Sequence, residues 1–370
     1  MSRAVLTFRG LRVLVEAAPG HLEWLEEFLG PAFERADGHE ADWRVSLVED
    51  RNRYRQAIDR GPADGTLEAF AYDAKVVGLP RWRTEAGDTG LFDAVRGLHF
   101  EVAYASRAVT LLTEPGNADG RIALMRIVRE LSMNRAQRRG GLLLHAAAMA
   151  VGDRGIVITG PKGAGKTSLL IHTLRARFAR YVSNDRVVVP AADGRPSAIG
   201  VPTIVALRRG TLDLFPSLAA RAAASGYAYR LTPDEALAAG PRAAESGGKP
   251  DSLSPAQFCR LLDVRPVACS EIAAIVFPRI TGETGTLALR RLTEAEVVER
   301  TPDMLFGVRG GSFTSNVFAD PADPPPDLGA LAERCRDITS RLPCLECRLG
   351  LEAFDSADTA DDLIASILRH

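Results

Sequence analysis

The chain has 370 residues, of which 46% are apolar and 25% are charged, with a formal net charge of −1. This length allows two domains with sizeable cores, and the balanced charge excludes a field that would draw the chain to nucleic acid. No run of 18 apolar residues and no signal-peptide core is present, so we expect a cytoplasmic protein with no membrane or nucleic-acid partner.

Residues 1–138 are predicted to form an α+β domain for substrate or partner recognition. An amphipathic pattern predicts a helix from about His21 to Phe33, and a second helix is expected at Gly120–Arg139. The basic stretch Asp50–Arg55 is interpreted as a solvated loop. Strands are expected at Val5–Phe8, Leu11–Glu16, Trp43–Val48, Leu67–Tyr72 and Phe100–Ala105.

The second domain, residues 139–320, is predicted to begin with a β-hairpin. Leu142–Val151 is an almost wholly apolar run, and a second apolar run follows Gly155 after a short Gly-containing turn. Two such runs joined by so short a turn should pair antiparallel. The second strand is therefore expected beside an antiparallel neighbour that contains His145.

A glycine-rich loop of the G-x-x-x-x-G-K-T type follows this strand and opens a helix, which is typical of a P-loop. The glycines let backbone N–H groups turn towards phosphate oxygens, and the start of the helix adds positive partial charge. Apolar spacing predicts the helix at Leu169, Leu170, Leu174 and Phe178. The positions predicted to bind ATP are Gly160, Pro161, Lys162, Gly163, Ala164, Gly165, Lys166, Thr167 and Ser168.

Two side chains of this loop have expected roles in phosphate chemistry. Lys166 should reach the β- and γ-phosphates, and the Thr167 hydroxyl should bind Mg²⁺. Only four of the 46 basic residues are lysines, and a compact ammonium fits between phosphate groups where a planar guanidinium does not. For Lys162, a phosphate contact and a solvated loop charge are equally open.

Asn184 and Asp185 stand about twenty residues beyond Lys166, between two β-branched runs. An acidic residue here is where a nucleotide site collects its metal-facing carboxylate, so Asp185 is predicted to bind Mg²⁺ together with Thr167. The alternative is a plain turn between two strand halves. Arg186, Arg208 and Arg209 are candidates for neutralising phosphate charge.

His145, the Gly160–Thr167 loop and the Val182–Val187 segment together resemble the HPr kinase/phosphorylase family over roughly residues 141–215. The resemblance implies an α/β fold with a mixed-sheet P-loop kinase core akin to phosphoenolpyruvate carboxykinase. It also implies ATP and Mg²⁺ as cofactors and phosphate transfer to a serine hydroxyl. The catalytic set that it implies is Asp185, Asn184, Lys166, His145 and Arg186.

This sequence departs from the family at two places. The family's paired Asp-Asp is Asn184-Asp185 here, and an amide cannot accept a proton as a carboxylate does. Either Asp185 serves both the metal and the acceptor, or Asn184 orients the acceptor hydroxyl. The HPr-docking loop has no clear counterpart, which argues against HPr as the acceptor. His145, judged as a residue in an Ala-rich strand, could equally be a satisfied core histidine.

The rest of the chain is predicted to carry a lid and a C-terminal extension. The Ala/Gly/Ser-rich stretch from Leu218 to Pro255 is expected to be a mobile lid or substrate loop, with Lys249 as a solvated charge or a phosphate contact. A stiff linker, Pro321–Pro326, opens the extension, residues 321–370. The remaining elements are strands at Ile272–Phe277, Leu287–Leu292 and Cys344–Leu349, and helices at Leu328–Arg341 and Thr359–Leu368.

Cysteine usage adds no metal site to this prediction. Cys344 and Cys347 have C-x-x-C spacing, but no second pair or nearby His completes four ligands. The strand pattern puts Leu345, Cys347 and Leu349 on one face, so core packing is favoured.

The function predicted from these features is that of an ATP-dependent kinase with a hydroxyl-bearing acceptor, either a peptide or protein serine or a small metabolite. The alternative is a nucleotide-dependent switch or slow ATPase without an acceptor. An ABC-type ATPase is disfavoured because no signature helix is visible, and an RNA-binding regulator has only the Arg content in its favour. Whether the chain forms a homo-oligomer is left open.

Overall fold

The computed structural model describes residues 1–60, 65–70, 76–84, 86–191, 194–231, 235, 251–282, 287–306, 318 and 326–370. The predicted roles of Lys249 and of the 321–325 linker fall outside these ranges. Within them, no helix is both long enough and apolar enough to cross a bilayer. The chain divides into two compact units, the first Met1–Leu29, Phe33–Arg138 and Gly310–Pro326, the second Gly30–Ala32, Arg139–Arg309 and Asp327–His370.

The first unit is built on a nine-stranded mixed sheet of order β3-β1-β2-β4-β9-β8-β7-β6-β5. The strands are β1 Ser2–Phe8, β2 Leu11–Ala17, β3 Glu34–Ala36, β4 Trp43–Glu49, β5 Gly65–Phe70, β6 Val76–Arg83, β7 Thr89–Asp93, β8 Leu98–Ala103 and β9 Ala108–Thr113. The pairings β2–β4 and β4–β9 are parallel, and the other pairings are antiparallel.

Three helices belong to this unit: α1 Pro19–Leu29, α2 Arg51–Asp59 and α3 Ala118–Arg138. The apolar stripe predicted for α1 is buried, as expected. The prediction of a solvated loop over Asp50–Arg55 is wrong, because α2 begins there. The Asp50 carboxylate accepts hydrogen bonds from the backbone N–H groups of Asn52 and Arg53, and this N-cap starts the helix.

The second unit contains eleven strands: β10 Leu142–Val151, β11 Arg154–Thr159, β12 Ala179–Ser183, β13 Arg186–Val189, β14 Ser197–Val201, β15 Val205–Leu207, β16 Asp251–Leu253, β17 Arg265–Pro266, β18 Cys269–Ile280, β19 Leu287–Arg291 and β20 Cys344–Leu349 among the described residues. Its described helices are α4 Lys166–Thr173, α5 Arg209–Leu212, α6 Pro216–Ser225, α7 Pro255–Leu262, α8 Glu294–Met304, α9 Leu328–Ser340 and α10 Asp358–Arg369. A 3₁₀ turn covers Leu351–Phe354.

The sheet of this unit has the order β17-β12-β10-β13-β14-β18-β20-β19, and β11 pairs with both β10 and β18. β10 and β11 form the predicted antiparallel hairpin, while β11 and β18 are parallel. Mixed strand directions therefore surround the strand that enters the P-loop. The chain is a mixed α/β protein, and the boundary between its two units falls at Arg138/Arg139.

β20 corrects the predicted C-terminal extension. It pairs in parallel with β18 and antiparallel with β19, so the last part of the chain completes the sheet instead of packing on a finished domain. Leu345, Cys347 and Leu349 are buried in the main core, as predicted for that face of the strand. Burial raises the pKa of the Cys344 and Cys347 thiols to about 11 and about 12, so both thiols stay protonated.

Two further predictions in this unit are wrong. Phe178 was expected on the buried face of the P-loop helix, but α4 ends at Thr173 and Phe178 is 85% exposed with φ 60°. The segment Ala222–Gly226 of the predicted lid is not a mobile connection, because Ala222–Ser225 form the end of α6. Alanine favours the helical conformation, and Gly226 caps the helix with a left-handed backbone. The rest of that stretch from 236 to 250 lies outside the described residues.

Candidate functional site

The glycine-rich loop, residues 160–165, joins the end of β11 to the start of α4, in the strand–loop–helix order that the sequence predicts. Gly160, Gly163 and Gly165 have φ values of 140°, 90° and 98°, which side chains rarely adopt. A Cβ atom at position 165 would also lie 2.5 Å from Cδ1 of Ile280. The loop therefore needs glycine at this position for both backbone conformation and close packing.

The Lys166 ammonium is folded into this loop. Its Nζ donates hydrogen bonds to the carbonyl oxygens of Gly160 and Pro161 at 2.7 and 3.1 Å. Burial lowers the pKa of Lys166, an effect that Asp185 and Asp303 oppose and Arg208 reinforces. A buried cation held by neutral carbonyls has little charge compensation, and this arrangement attracts an anion.

The Asn184-Asp185 pair forms an interruption between two strand halves. β12 and β13 both pair antiparallel with β10 in one register, from Leu142 opposite Val189 to Ala148 opposite Ser183. The register shifts only beyond this, where Met149 pairs with Tyr181 and Val182 is the extra residue. The Asp185 carbonyl still accepts a hydrogen bond from the Ala146 N–H at 3.0 Å. This bend matches the alternative prediction of a turn between two strand halves, and it brings Asp185 beside a neighbouring side chain of β10.

That neighbour is His145, whose Nε2 lies 3.3 Å from Oδ1 of Asp185. Both side chains are about one-third exposed, while Arg186, with Nε 3.7 Å from Oδ2, is buried. Desolvation raises the pKa of Asp185, but the His145 hydrogen bond and the charges of Arg186, His145 and Lys166 outweigh it and lower the pKa to about 2. Asp185 is therefore ionised at neutral pH and is a weak proton acceptor.

His145 is tied to the P-loop through the backbone. Thr159, the last residue of β11, donates its hydroxyl to the His145 carbonyl at 3.1 Å, and Thr159 is the register partner of Ala146. The hairpin thus places His145 and Asp185 beside the beginning of the P-loop. The alternative interpretation of His145 as a satisfied core residue does not fit its exposure and its carboxylate partner.

Asn184 has contacts of a different kind. Its Oδ1 accepts hydrogen bonds from the hydroxyls of Tyr181 and Thr203 at 2.7 and 3.1 Å, and its Nδ2 donates to the Ile204 carbonyl at 3.4 Å. The residue is buried. These contacts favour support of the bend at Asn184-Asp185 over the catalytic, hydroxyl-orienting role predicted for Asn184, because its amide oxygen already has two donors.

The other predicted loop positions divide into open and buried ones. Pro161, Lys162 and Gly163 are exposed, and Ala164, Gly165 and Thr167 are half-buried. Ser168 is buried and its hydroxyl lies 3.4 Å from that of Thr211, at α5, so its side chain packs behind the loop. Thr167 is the loop hydroxyl that remains accessible.

Asp303 was not singled out from the sequence. It lies in the last turn of α8, and its charge acts on the Lys166 ammonium. Two residues beyond α8, Phe306 donates its N–H to the Leu143 carbonyl at 2.8 Å, and its ring stacks 4.2 Å from the Arg186 guanidinium. Asp303 follows a helix-interior proline in a segment without any motif, so only the tertiary fold places it at the site.

The site was tested against the groups that the resemblance implies. Positive-φ glycines, a buried ammonium and the first turn of α4 fit a polyphosphate. Asp185 and Thr167 supply the oxygen donors that Mg²⁺ uses alongside phosphates. No group of three or more His, Cys, Asp or Glu residues with metal-binding geometry occurs within the described part of the chain, and such a Mg²⁺ site does not require one.

Comparison with known proteins does not name this site. No protein-family model matches the chain, and no curated protein matches it either.

Proposed function

We propose that this protein is an ATP-dependent kinase that transfers the γ-phosphoryl group to a hydroxyl acceptor. The proposal is carried by the contacts of His145 on β10. Its carbonyl accepts a hydrogen bond from Thr159, just before the loop that holds the buried Lys166, and its ring contacts the ionised Asp185. A cytoplasmic setting and the HPr kinase-like family remain part of the proposal.

In the proposed reaction, the acceptor oxygen forms a bond to the γ-phosphorus, the bond from that phosphorus to the β–γ bridging oxygen breaks, and ADP leaves with the electron pair. Because such transition states are loose, the hydroxyl proton is lost late and passes to water. Mg²⁺, when bound, neutralises charge on the phosphates. Lys166 and the loop N–H groups hold the phosphates, and Arg208 adds a nearby positive charge.

The role of Asp185 follows from its low pKa. A carboxylate with a pKa of about 2 takes up a proton poorly at neutral pH, so it contributes charge and metal binding more than base catalysis. His145 fixes the orientation of Asp185, and Asn184 supports the bend that contains Asp185. The residues would thus accelerate transfer by positioning and electrostatics.

The test is transfer of phosphate to candidate acceptors. Purified protein is incubated with ATP and Mg²⁺ and with hydroxyl-bearing metabolites and peptides, and mass spectrometry detects phosphate gain. We expect Lys166→Ala to lower the rate by on the order of 10²–10³-fold with its circular dichroism spectrum unchanged. Arg177→Ala, which removes an exposed cation beyond the end of α4, is the matched control.

Two outcomes would contradict the proposal. Full turnover in Lys166→Ala would remove the P-loop assignment. ATP hydrolysis without phosphate gain in any acceptor would favour the nucleotide-dependent switch instead.

A further inference from the structure

A group of arginines lies on β18, β19, β20 and α8. We call Arg279, Arg290, Arg300 and Arg348 the arginine cluster. β18 runs parallel to β11, and the last paired residues are Ile158 and Val276. Phe277 is therefore level with Thr159, the last residue of β11, and the last three residues of β18 continue past the end of β11, where the P-loop begins.

The end of β18 touches the P-loop directly. Ile280 packs so closely on Gly165 that a Cβ atom there would lie 2.5 Å from Ile280 Cδ1. Arg279 precedes Ile280 and is the register partner of Arg348 in β20. Because side chains alternate along a strand, Arg279 and Arg348 share the face opposite to Ile280. Both are exposed.

The cluster carries more positive than negative charge. Its two described carboxylate partners are Glu346 and Glu296. Glu346, which is 8% exposed, accepts from Arg300 and Arg348 at 2.9 Å each and lies 3.8 Å from Arg290. Glu296 pairs with Arg290 at 2.7 Å. Four guanidinium groups thus face two carboxylates, and Arg279 has neither an ion pair nor a hydrogen bond among the described residues.

Helix α8 links this cluster to the P-loop lysine. Arg300 and Asp303 are three residues apart on α8 and so lie about one helical turn, roughly 5 Å, from each other. Arg300 binds Glu346, while the charge of Asp303 acts on Lys166. Helix α8 thus carries both Arg300 of the cluster and Asp303, and Arg279 directly precedes Ile280, which contacts the loop at Gly165.

We propose that Arg279 and Arg348 bind a carboxylate of the phosphoryl acceptor, so that the acceptor carries an anionic group as well as its hydroxyl. Guanidinium groups bind carboxylates through paired, charge-assisted hydrogen bonds. Arg279 has its full donor set available, and Arg348 has two terminal nitrogens beyond the Nε that Glu346 occupies. A free hydroxy acid and an acidic residue beside a serine present the same chemistry. The inference rests on the proposed kinase function.

The first measurement is direct binding of malonate by isothermal titration calorimetry at constant ionic strength. We expect Arg279→Gln and the double variant Arg279→Gln/Arg348→Gln to weaken malonate binding, the double variant by roughly tenfold or more. Arg291→Gln is the matched control, because Arg291 is an exposed arginine of the same strand as Arg290 on the opposite face. Arg279→Gln alone removes no partner and should leave the fold intact.

The second measurement uses paired acceptors: L-serine with L-serinamide, and a peptide containing Asp-Ser-Asp with its Asn-Ser-Asn counterpart. In any pair that is phosphorylated, we expect the carboxylate-bearing acceptor to have a lower KM than its amide counterpart. The double variant should raise the KM for the carboxylate-bearing acceptor and leave the KM for ATP unchanged. The pair that is phosphorylated identifies the source of the carboxylate.

The two proposals fail in different ways. Equal malonate affinity in the double variant and in Arg291→Gln overturns the carboxylate subsite even if phosphoryl transfer is observed. A tenfold loss of malonate binding supports the subsite even if no compound gains phosphate, and in that case the kinase proposal is the one that fails.

Discussion

Two histidines, one in each unit, lie in opposite environments. In the first unit, His99 is 1% exposed and stacks on Trp82 with ring centroids 5.0 Å apart, and neither of its ring nitrogens has a hydrogen-bond partner among the described residues. In the second unit, His145 is one-third exposed and lies 3.3 Å from Asp185. Burial without a partner affects stability, whereas a paired histidine at an open edge is available for chemistry. We therefore expect substitutions in the two units to have separable effects.

The largest effect is expected from Asp185→Asn. The amide keeps the shape of the carboxylate but loses the charge that would bind Mg²⁺ and face Lys166. Phosphoryl transfer should fall by on the order of 10²–10³-fold, or about 3–4 kcal/mol. The rate is measured over a range of Mg²⁺ concentrations.

The activity of Asp303→Asn is compared with that of Asp185→Asn, because the charges of Asp185 and Asp303 both raise the pKa of Lys166. If Asp303→Asn lost more activity than Asp185→Asn and shifted the Mg²⁺ dependence further, the metal-binding carboxylate would be Asp303.

A smaller effect, on stability, is expected from Asn184→Ala. The substitution leaves the hydroxyls of Tyr181 and Thr203 without their acceptor, which should lower the free energy of unfolding by about 3 kcal/mol. Chemical denaturation followed by far-ultraviolet circular dichroism measures this loss. If the unfolding midpoint is unchanged and activity is lost, Asn184 has a catalytic role and not the structural one inferred from its contacts.

The smallest effect is a pH dependence in the first unit. Burial lowers the pKa of His99 to about 4, whereas an unfolded histidine titrates near 6.5. Between these values the unfolded state binds a proton that the folded state does not, so stability falls as the pH falls. The contribution of His99 from pH 7 to pH 5 is a loss of about 2 kcal/mol, which His99→Phe should remove.

Tryptophan fluorescence isolates this effect, because all three tryptophans, Trp24, Trp43 and Trp82, belong to the first unit. His172 in the second unit, whose pKa is also lowered to about 4 by burial and by Arg175, is not reported by that signal. His39→Gln, at an exposed position, is the control. An identical pH slope in His99→Phe and His39→Gln would show that His99 does not set it.

The sequence predicted the local parts of the site well. The β10–β11 hairpin, the loop and α4 depend on turn glycines and on apolar patterns that act over a few residues. It could not predict Asp303 near Lys166 or the packing of Ile280 on Gly165, because both arise from contacts between segments distant in sequence. The sequence did not predict the start of α2, because the arginines of this segment indicate a solvated loop, whereas the Asp50 N-cap starts a helix.

The position of β20 has a consequence for folding on the ribosome. β18 and β19 flank a strand that is synthesised about fifty residues after β19, so their pairing partner is absent while most of the unit emerges. Until Leu349 leaves the exit tunnel, the edge of β18 that carries Arg279 and Ile280 has unpaired backbone groups, which invite pairing with other chains. Completion of the sheet edge beside the glycine-rich loop is thus delayed until β20 has been synthesised, and before then a chaperone that covers exposed strands would protect it most.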